Sequence, residues 1–234
     1  MTEMSDASHP HRASLAAAWA EALGTAFGAF DRDGTTLVPR DDLAAVIVVE
    51  LGDAMVVAAP SAALDALAGR DRATLLDAAA VSAALPGSRP LGSAHLLVAG
   101  ARPPAPAHPV VAADDRDVRL VREVVAEDEW EEAGVEPMER LWAVRIGGRA
   151  VAIAGFEPWR SRLAHIGVVA AGAQRGRGVA ASAAAAVVGA ALDAGLVPQW
   201  RCRVGHTASL RLAERLGFTR VGVQAAVALP ARDR

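Results

Sequence analysis

The sequence predicts an α+β chain built in two parts. Short apolar runs typical of strands alternate with longer, alanine-rich runs typical of helices along its 234 residues. Between the parts, residues 100–109 carry four prolines, which oppose helix formation and favour an extended chain. We therefore expect an N-terminal α+β domain over 14–100, a proline-rich linker over 101–112 and a second domain over 113–234.

The composition narrows the class of protein. Hydrophobic residues make up 53% of the chain and the net charge is -3, which suits one large or two modest cores and gives no indication of a nucleic-acid partner. The most apolar stretch, 179–192, is shorter than the roughly 18 residues that a spanning helix needs, so we expect no membrane association. Residues 1–13 are polar and are expected to form a disordered tail.

The single cysteine, Cys202, excludes an intramolecular disulfide bond. Its position on an expected interior strand predicts a small buried hydrophobic side chain rather than a reactive thiol. No Cys/His cluster of the zinc-binding kind is visible, so no metal is expected. A reducing cytoplasm is the simplest location.

The first part reads as a small α+β domain of unknown role. Its expected elements are a helix over 15–29, paired strands over 44–50 and 54–58, helices beginning at Ser61 and Arg72, and a strand over 95–98. Three roles are open for it: a diverged copy of the second part, a cap over an acceptor cleft, or a structural partner, which is the favoured interpretation.

The second part begins with an expected strand over 118–121 and a helix over 127–133. Two glycines, Gly147 and Gly148, then separate β-favouring runs and predict a hairpin, since a primed turn needs positive φ values. The remaining elements, in order, are strands over 141–146, 149–156 and 165–170, a helix over 180–194, a strand over 200–204, a helix within 204–217 and a strand over 220–229.

A glycine-rich turn over 175–180 stands between a strand and the long helix. Glycines at 176 and 178 expose backbone N–H groups, and a helix start adds unpaired donors and the positive end of its dipole. Arg175 and Arg177 place cations beside these donors. The turn predicts a pyrophosphate cradle, with a helix start bearing solvated arginines as the alternative.

This turn resembles the acyl-CoA loop of the GCN5-related N-acetyltransferase (GNAT) family, in which Arg or Gln is followed after two positions by Gly and then, two residues on, by Gly or Ala. Arg175, Gly178 and Ala180 fill that pattern. A second element over 204–218 is similar to the late helix of the family and ends in its Leu-Gly-Phe signature. From about Asp114 onward, the resemblance implies a mixed central sheet flanked by helices.

The resemblance also implies how acetyl-CoA binds. In the family the pantetheine arm lies along the fourth strand, in a gap where the fourth and fifth strands separate. His206 stands where relatives commonly have an asparagine that contacts pantetheine. The implied cofactor-binding residues are Val168, Val169, Ala170, Arg175, Gly176, Arg177, Gly178, Val179, Ala180 and His206, with a backbone N–H of the strand polarising the thioester carbonyl.

The implied chemistry is direct transfer of an acyl group to an amine, assisted by a base. His165 is the first candidate, because it begins the fourth strand and imidazole titrates near neutrality. Glu157 is the second, if partial burial lets its carboxyl group hold a proton. The family's usual general acid is a tyrosine, but the chain has none and Ala213 takes its place. His206, Cys202 or water would then protonate the thiolate, or it would leave unassisted.

The leading hypothesis is an N-acyltransferase that uses acetyl-CoA and acts on a small-molecule amine or a protein amino group. The main alternative is a non-catalytic acyl-CoA sensor or interaction protein. A different phosphate-binding module is disfavoured, since no Gly-Lys-Ser or Gly-Lys-Thr sequence is present. A homodimer is left open.

Overall fold

The computed structural model describes residues 11–231, which form eight α-helices and ten strands. The helices are α1 (Arg12–Leu23), α2 (Ser61–Leu67), α3 (Arg72–Leu76), α4 (Ala78–Ala83), α5 (Asp115–Arg122), α6 (Glu127–Ala133), α7 (Val179–Asp193) and α8 (Thr207–Arg215). The strands are β1 (Gly34–Pro39), β2 (Ala45–Leu51), β3 (Ala54–Ala59), β4 (Arg89–Val98), β5 (Val110–Ala112), β6 (Leu141–Ile146), β7 (Arg149–Trp159), β8 (Leu163–Ala170), β9 (Val197–Arg203) and β10 (Thr219–Ala228).

The chain divides into two compact units that are not continuous in sequence. The first contains the described residues up to Leu97, Arg201–Leu210, and the described residues from Arg220 onward. The second contains Val98–Trp200 and Arg211–Thr219. The start of the second unit lies close to the linker expected over 101–112, but the first unit also takes in β10, which the sequence analysis assigned to the second domain.

In the first unit the strand order is β1-β3-β2-β10-β4. β1 runs parallel to β3, whereas β2 is antiparallel to both β3 and β10. A buried cluster joins Val46, Val48, Met55 and Val57 of the sheet to apolar residues of α2, α3 and α4. The same cluster contains buried residues of β10, so the hydrophobic core of this unit includes a strand from the far end of the chain.

The second unit has the strand order β9-β8-β7-β6-β5, with β9 parallel to β8 and the other pairs antiparallel. Val121 of α5 and Trp130 of α6 pack with Ile153 and Val169 on one face of this sheet. α7 packs against β6, β7 and β8 as well, but none of its residues belongs to the buried cluster that contains Val121 and Trp130. It therefore lies on the opposite face of the sheet. The predicted mixed sheet flanked by helices is confirmed.

Most of the predicted elements are found, including the Gly147-Gly148 hairpin, but one is wrong. The strand expected over 118–121 is part of helix α5. Its N-terminus has a capping box in which Asp114 accepts from the Asp117 amide at 2.9 Å and Asp117 accepts from the Asp114 amide at 3.1 Å. This reciprocal pair satisfies amides that a helix start otherwise leaves without a partner, and it therefore favours a helix where the two valines of 118–121 suggested a strand.

The expected disordered tail and the expected proline-rich linker each end in a regular element. Residues 12 and 13 of the expected disordered tail belong to α1, and Arg12 Nη2 donates to the carbonyl oxygen of Leu51 at 2.9 Å. Residues 1–10 lie outside the described part of the chain. The C-terminal end of the expected linker is strand β5, which pairs with β6. No helix within residues 11–231 is long and apolar enough to cross a membrane.

Candidate functional site

The glycine-rich turn joins β8 to α7, between a strand and the long helix as the sequence predicts. A short 3₁₀ turn, Gly172–Gln174, follows β8. Gly176 and Gly178 then adopt φ angles of 76° and 78°, in the left-handed region that glycine adopts without steric strain. Gly178 is the N-cap of α7 and contributes no side-chain cap, so the first helical amides are left accessible.

The hydrogen bonds around the turn show which amides are available. Arg175 and Arg177 donate their backbone N–H groups back into the 3₁₀ turn, to the carbonyl oxygens of Gly172 and Gln174. The first amide bonded within α7 is that of Ser182, which donates to Gly178 at 2.9 Å. The three preceding helical amides, those of residues 179–181, therefore point out of the helix end. Together with the helix dipole they form an environment that favours an anion.

The two arginines of the turn differ in their surroundings. Arg177 is exposed. Arg175 Nη2 forms an ion pair with Glu129 Oε1, on helix α6. An anion in the turn would therefore compete with the Glu129 carboxylate for the Arg175 guanidinium group.

The edge of β8 has a defined direction of hydrogen bonding. The Ala171 amide donates to Val151 of β7 at 2.8 Å, and the β7–β8 register is uniform. In an antiparallel ladder the backbone groups alternate in direction, so Val169 bonds to β7 whereas Val168 and Ala170 direct their N–H and C=O groups away from it. The predicted backbone role is thus corrected for Val169 and is geometrically available to its two neighbours.

The other neighbour of β8 is β9, and the two pair at their N-terminal ends. The paired residues are Leu163 with Val197, Ala164 with Pro198, and His165 with Gln199. Val168 and Ala170 lie beyond the last of these pairs. Their outward backbone groups therefore form a free edge beyond the β8–β9 pairs. Binding of a pantetheine arm along this edge stays a prediction.

The two candidate bases are brought together. His165 on β8 is directly opposite Glu157 on β7, so the two side chains share one face of the sheet. His165 is half-buried, and the partial burial expected for Glu157 is absent, because that residue is exposed. The same face carries Gly155 and Gly167, against which residues 133–140 pack closely.

His206 lies in the first compact unit, whereas the turn and β8 lie in the second. Its side chain is exposed just before α8, and its backbone carbonyl accepts from Cys202 Sγ at 3.4 Å. Its contact with pantetheine stays a prediction. Cys202 is buried, as predicted, and so is Ala213, which stands in place of the family's tyrosine.

Two groups near the turn were not predicted. Glu129 reaches Arg175 across 46 positions of the sequence, and His108 reaches the Arg177 carbonyl oxygen across 69 positions. No short motif marks either residue, since each contact depends on tertiary packing. Within residues 11–231, no group of three or more His, Cys, Asp and Glu side chains is arranged to hold a metal ion.

The part of the chain that carries the turn and the β8 edge is similar to a known family. Residues 143–224, which include β7, β8, the glycine turn and α7, match the family model described as GNAT acetyltransferase. The C-terminal region of the chain belongs to the GNAT family. The match thus covers about a third of the chain, and it contains every residue predicted to bind the cofactor.

Solved structures similar to this chain include a GNAT-family protein from Novosphingobium aromaticivorans, with 27% identity over 62% of this chain and 69% of that one and a TM-score of 0.47. An acetyltransferase from Colwellia psychrerythraea has 14% identity, coverages of 65% and 60%, and a TM-score of 0.49. A protein from Salmonella typhimurium, solved with acetyl-CoA, has 17% identity, coverages of 54% and 96%, and a TM-score of 0.40. No curated protein matches the chain.

Proposed function

We propose that this protein is an N-acyltransferase that transfers an acetyl group from acetyl-CoA to an amine. The observation that carries the proposal is the left-handed glycine turn at the start of α7, next in the chain to the free edge of β8. Both lie within the region that matches the GNAT family. The turn suits a diphosphate, and the strand edge suits the amide groups of an extended pantetheine arm.

β8 separates the proposed diphosphate site, at the glycine turn, from the proposed site of acetyl transfer, near His165. His165 precedes Ala170 by five residues, or about 17 Å of extended strand at roughly 3.4 Å per residue. A ligand lying along this edge would have its diphosphate near the turn and its thioester toward the His165 end. An outward N–H group of β8 would then stabilise the negative charge that develops on the thioester oxygen.

The reaction forms an N–C bond and breaks the C–S bond of the thioester. The amine attacks the carbonyl carbon, and the electron pair of the C–S bond leaves with the sulfur of coenzyme A. His165, with Glu157 opposite it, accepts the proton of the amine, directly or through water. Since the chain has no tyrosine, water supplies the proton to the thiolate in this scheme.

The acceptor in this proposal is a small-molecule amine or a protein amino group. We place the reaction in the cytoplasm, because the single cysteine is a free, buried thiol that suits a reducing compartment. The proposal requires neither a nucleic acid nor a membrane, and a homodimer is compatible with it.

Release of coenzyme A thiol from acetyl-CoA, measured with a panel of primary amines and peptides, tests the activity. Amine-dependent release that falls at least about tenfold in His165→Ala supports the proposal. The Glu157→Gln variant tests whether the paired carboxylate contributes. Binding of acetyl-CoA without turnover of any amine would instead favour the acyl-CoA sensor.

A further inference from the structure

The segment just before β5 lies against the start of α7 and touches the glycine turn. His108 makes two contacts there. Its backbone N–H donates to Ser182 Oγ at 3.1 Å, and its side-chain Nε2 lies 2.8 Å from the carbonyl oxygen of Arg177. Ser182 is only 2% exposed and lies in α7. One residue of the proline-rich segment is therefore attached to both the helix and the turn that precedes it.

The side-chain contact has a defined chemical sense. A carbonyl oxygen only accepts hydrogen bonds, so His108 must carry a proton on Nε2 and donate it. The Arg177 carbonyl and the Gly178 amide belong to the same peptide group, which is planar and trans, since the described chain has no cis peptide bond. Holding the carbonyl oxygen toward His108 therefore directs the Gly178 N–H to the opposite side of the turn.

The same hydrogen bond acts where the chain is most permissive. Gly176 and Gly178 flank Arg177 and both have positive φ angles. Glycine gives a turn several alternative backbone conformations at little free-energy difference, so the peptide group that joins Arg177 to Gly178 meets little hindrance to rotation on its glycine side. A donor fixed by Ser182 selects one orientation of that peptide group.

We propose that His108 is a positioning residue for diphosphate binding, which orients the Gly178 amide toward the ligand by holding the Arg177 carbonyl oxygen. This inference rests on the proposed use of acetyl-CoA and adds a residue outside the region that matches the GNAT family. His108 acts through the backbone of the turn and has no part in the transfer of the acetyl group.

Calorimetric titration of the full chain with two ligands tests the inference. Acetyl-CoA carries the diphosphate, whereas S-acetyl-pantetheine has the same thioester arm without it. His108→Ala removes one hydrogen bond and is expected to weaken acetyl-CoA binding about three- to tenfold. Binding of S-acetyl-pantetheine should be unchanged. In steady-state kinetics KM for acetyl-CoA should rise, with kcat nearly constant.

His108→Gln provides the conservative variant, because the side-chain amide of glutamine can donate from nearly the same position as Nε2. It should recover most of the acetyl-CoA affinity. Arg102→Ala is the matched control, since Arg102 lies in the same segment but pairs with Asp193, and it should bind acetyl-CoA as the wild type does.

The outcomes separate the two proposals. The positioning role is wrong if the wild type binds acetyl-CoA and His108→Ala binds it equally well. It is also wrong if His108→Ala loses affinity for both ligands to the same extent, or if His108→Gln binds acetyl-CoA as weakly as His108→Ala does. If the wild type binds no acetyl-CoA, the proposed function fails and the role of His108 fails with it.

Discussion

Gly155 and Gly167 face each other on β7 and β8 beneath the segment that follows α6. A Cβ atom at Gly167 would lie 2.3 Å from the carbonyl oxygen of Ala133 and 2.8 Å from Met138 Cε. A methionine side chain can move, but a backbone carbonyl can move only with the segment itself. These glycines therefore let residues 133–140 approach the sheet beside His165 and Glu157.

Gly167→Ala should destabilise the protein by about 1–3 kcal/mol, because the added methyl group overpacks this contact. Urea unfolding followed by circular dichroism measures the change. Gly172→Ala is the control, since a Cβ there would meet nothing within 4 Å, and it should be close to neutral. Equal stabilities for the two variants would show that the 133–140 segment is not packed as described.

Glu129→Gln should tighten acetyl-CoA binding about two- to fivefold, by releasing Arg175 from an ion pair worth up to about 1 kcal/mol. Titration calorimetry at low salt measures the effect. Glu127→Gln is the control, because it removes an equal charge from the same helix. Glu127 pairs with Arg122 and not with Arg175, so this variant should change the affinity less. Weaker binding in Glu129→Gln would show that the ion pair supports the binding conformation of Arg175.

At the scale of single elements, α5 shows how a local cap and a tertiary ion pair combine. Asp117 is 3% exposed, closes the capping box and accepts two hydrogen bonds from Arg145 of β6, at 2.6 and 2.9 Å. Hydrogen bonding to Arg145 lowers the pKa of the Asp117 carboxyl group, and burial opposes this in part. The charged form of Asp117 is therefore favoured in the folded protein.

Asp117→Asn should lower the free energy of unfolding by about 1–3 kcal/mol at pH 7, because the Arg145 guanidinium group then faces a neutral amide instead of a carboxylate. A lowered folded-state pKa means that the stabilisation is complete above the unfolded-state value of about 3.9 and is lost as the pH falls through the folded-state value. Unfolding curves at pH 7, 5 and 3 should show the difference from wild type shrinking only at the acid end.

Asp115→Asn changes the same charge at an exposed position of the first turn, and should have a smaller effect that varies less between pH 5 and 3. If the difference in free energy of unfolding between Asp117→Asn and the wild type stays constant down to pH 3, the ion pair is not the source of the stability.

The elements that could be predicted from sequence are those whose signals are local. The Gly147-Gly148 hairpin, helix α6 and the turn before α7 each follow from adjacent residues. Part of α5 was predicted as a strand, because the short run with valines at both ends, 118–121, was weighed without the aspartates that cap the helix. β1 was missed, and its mostly exposed residues give no apolar alternation to detect. His108 and Glu129 depend on which segments meet in the fold, and no pattern in the sequence records that.

At the scale of the whole molecule, the first compact unit depends on both ends of the chain. β10 lies between β2 and β4 in the strand order and pairs with β2 from Gly222↔Leu51 to Ala228↔Ala45. Residues before the proline-rich segment therefore lack a central strand when they stand alone. A domain expected over 14–100 does not include this partner.

A fragment of residues 1–100 should not unfold cooperatively by itself, because β2 and β4 would both expose an edge that β10 covers. Thermal denaturation and amide NMR dispersion measure this. Co-expression with residues 101–234 is the control and should recover a soluble complex of the two fragments. A well-dispersed spectrum from 1–100 alone would contradict the described sheet order.

Calorimetric titration with acetyl-CoA, on wild type and two variants of Ala180, is the most direct test of the phosphate cradle. Ala180 is the second residue of α7, where a glutamate favours the helix dipole, so Ala180→Glu should fold. We predict that the wild type binds, that Ala180→Gln loses little, and that Ala180→Glu loses about tenfold or more through repulsion of the diphosphate. No binding by the wild type, or equal binding by the two variants, would contradict the account.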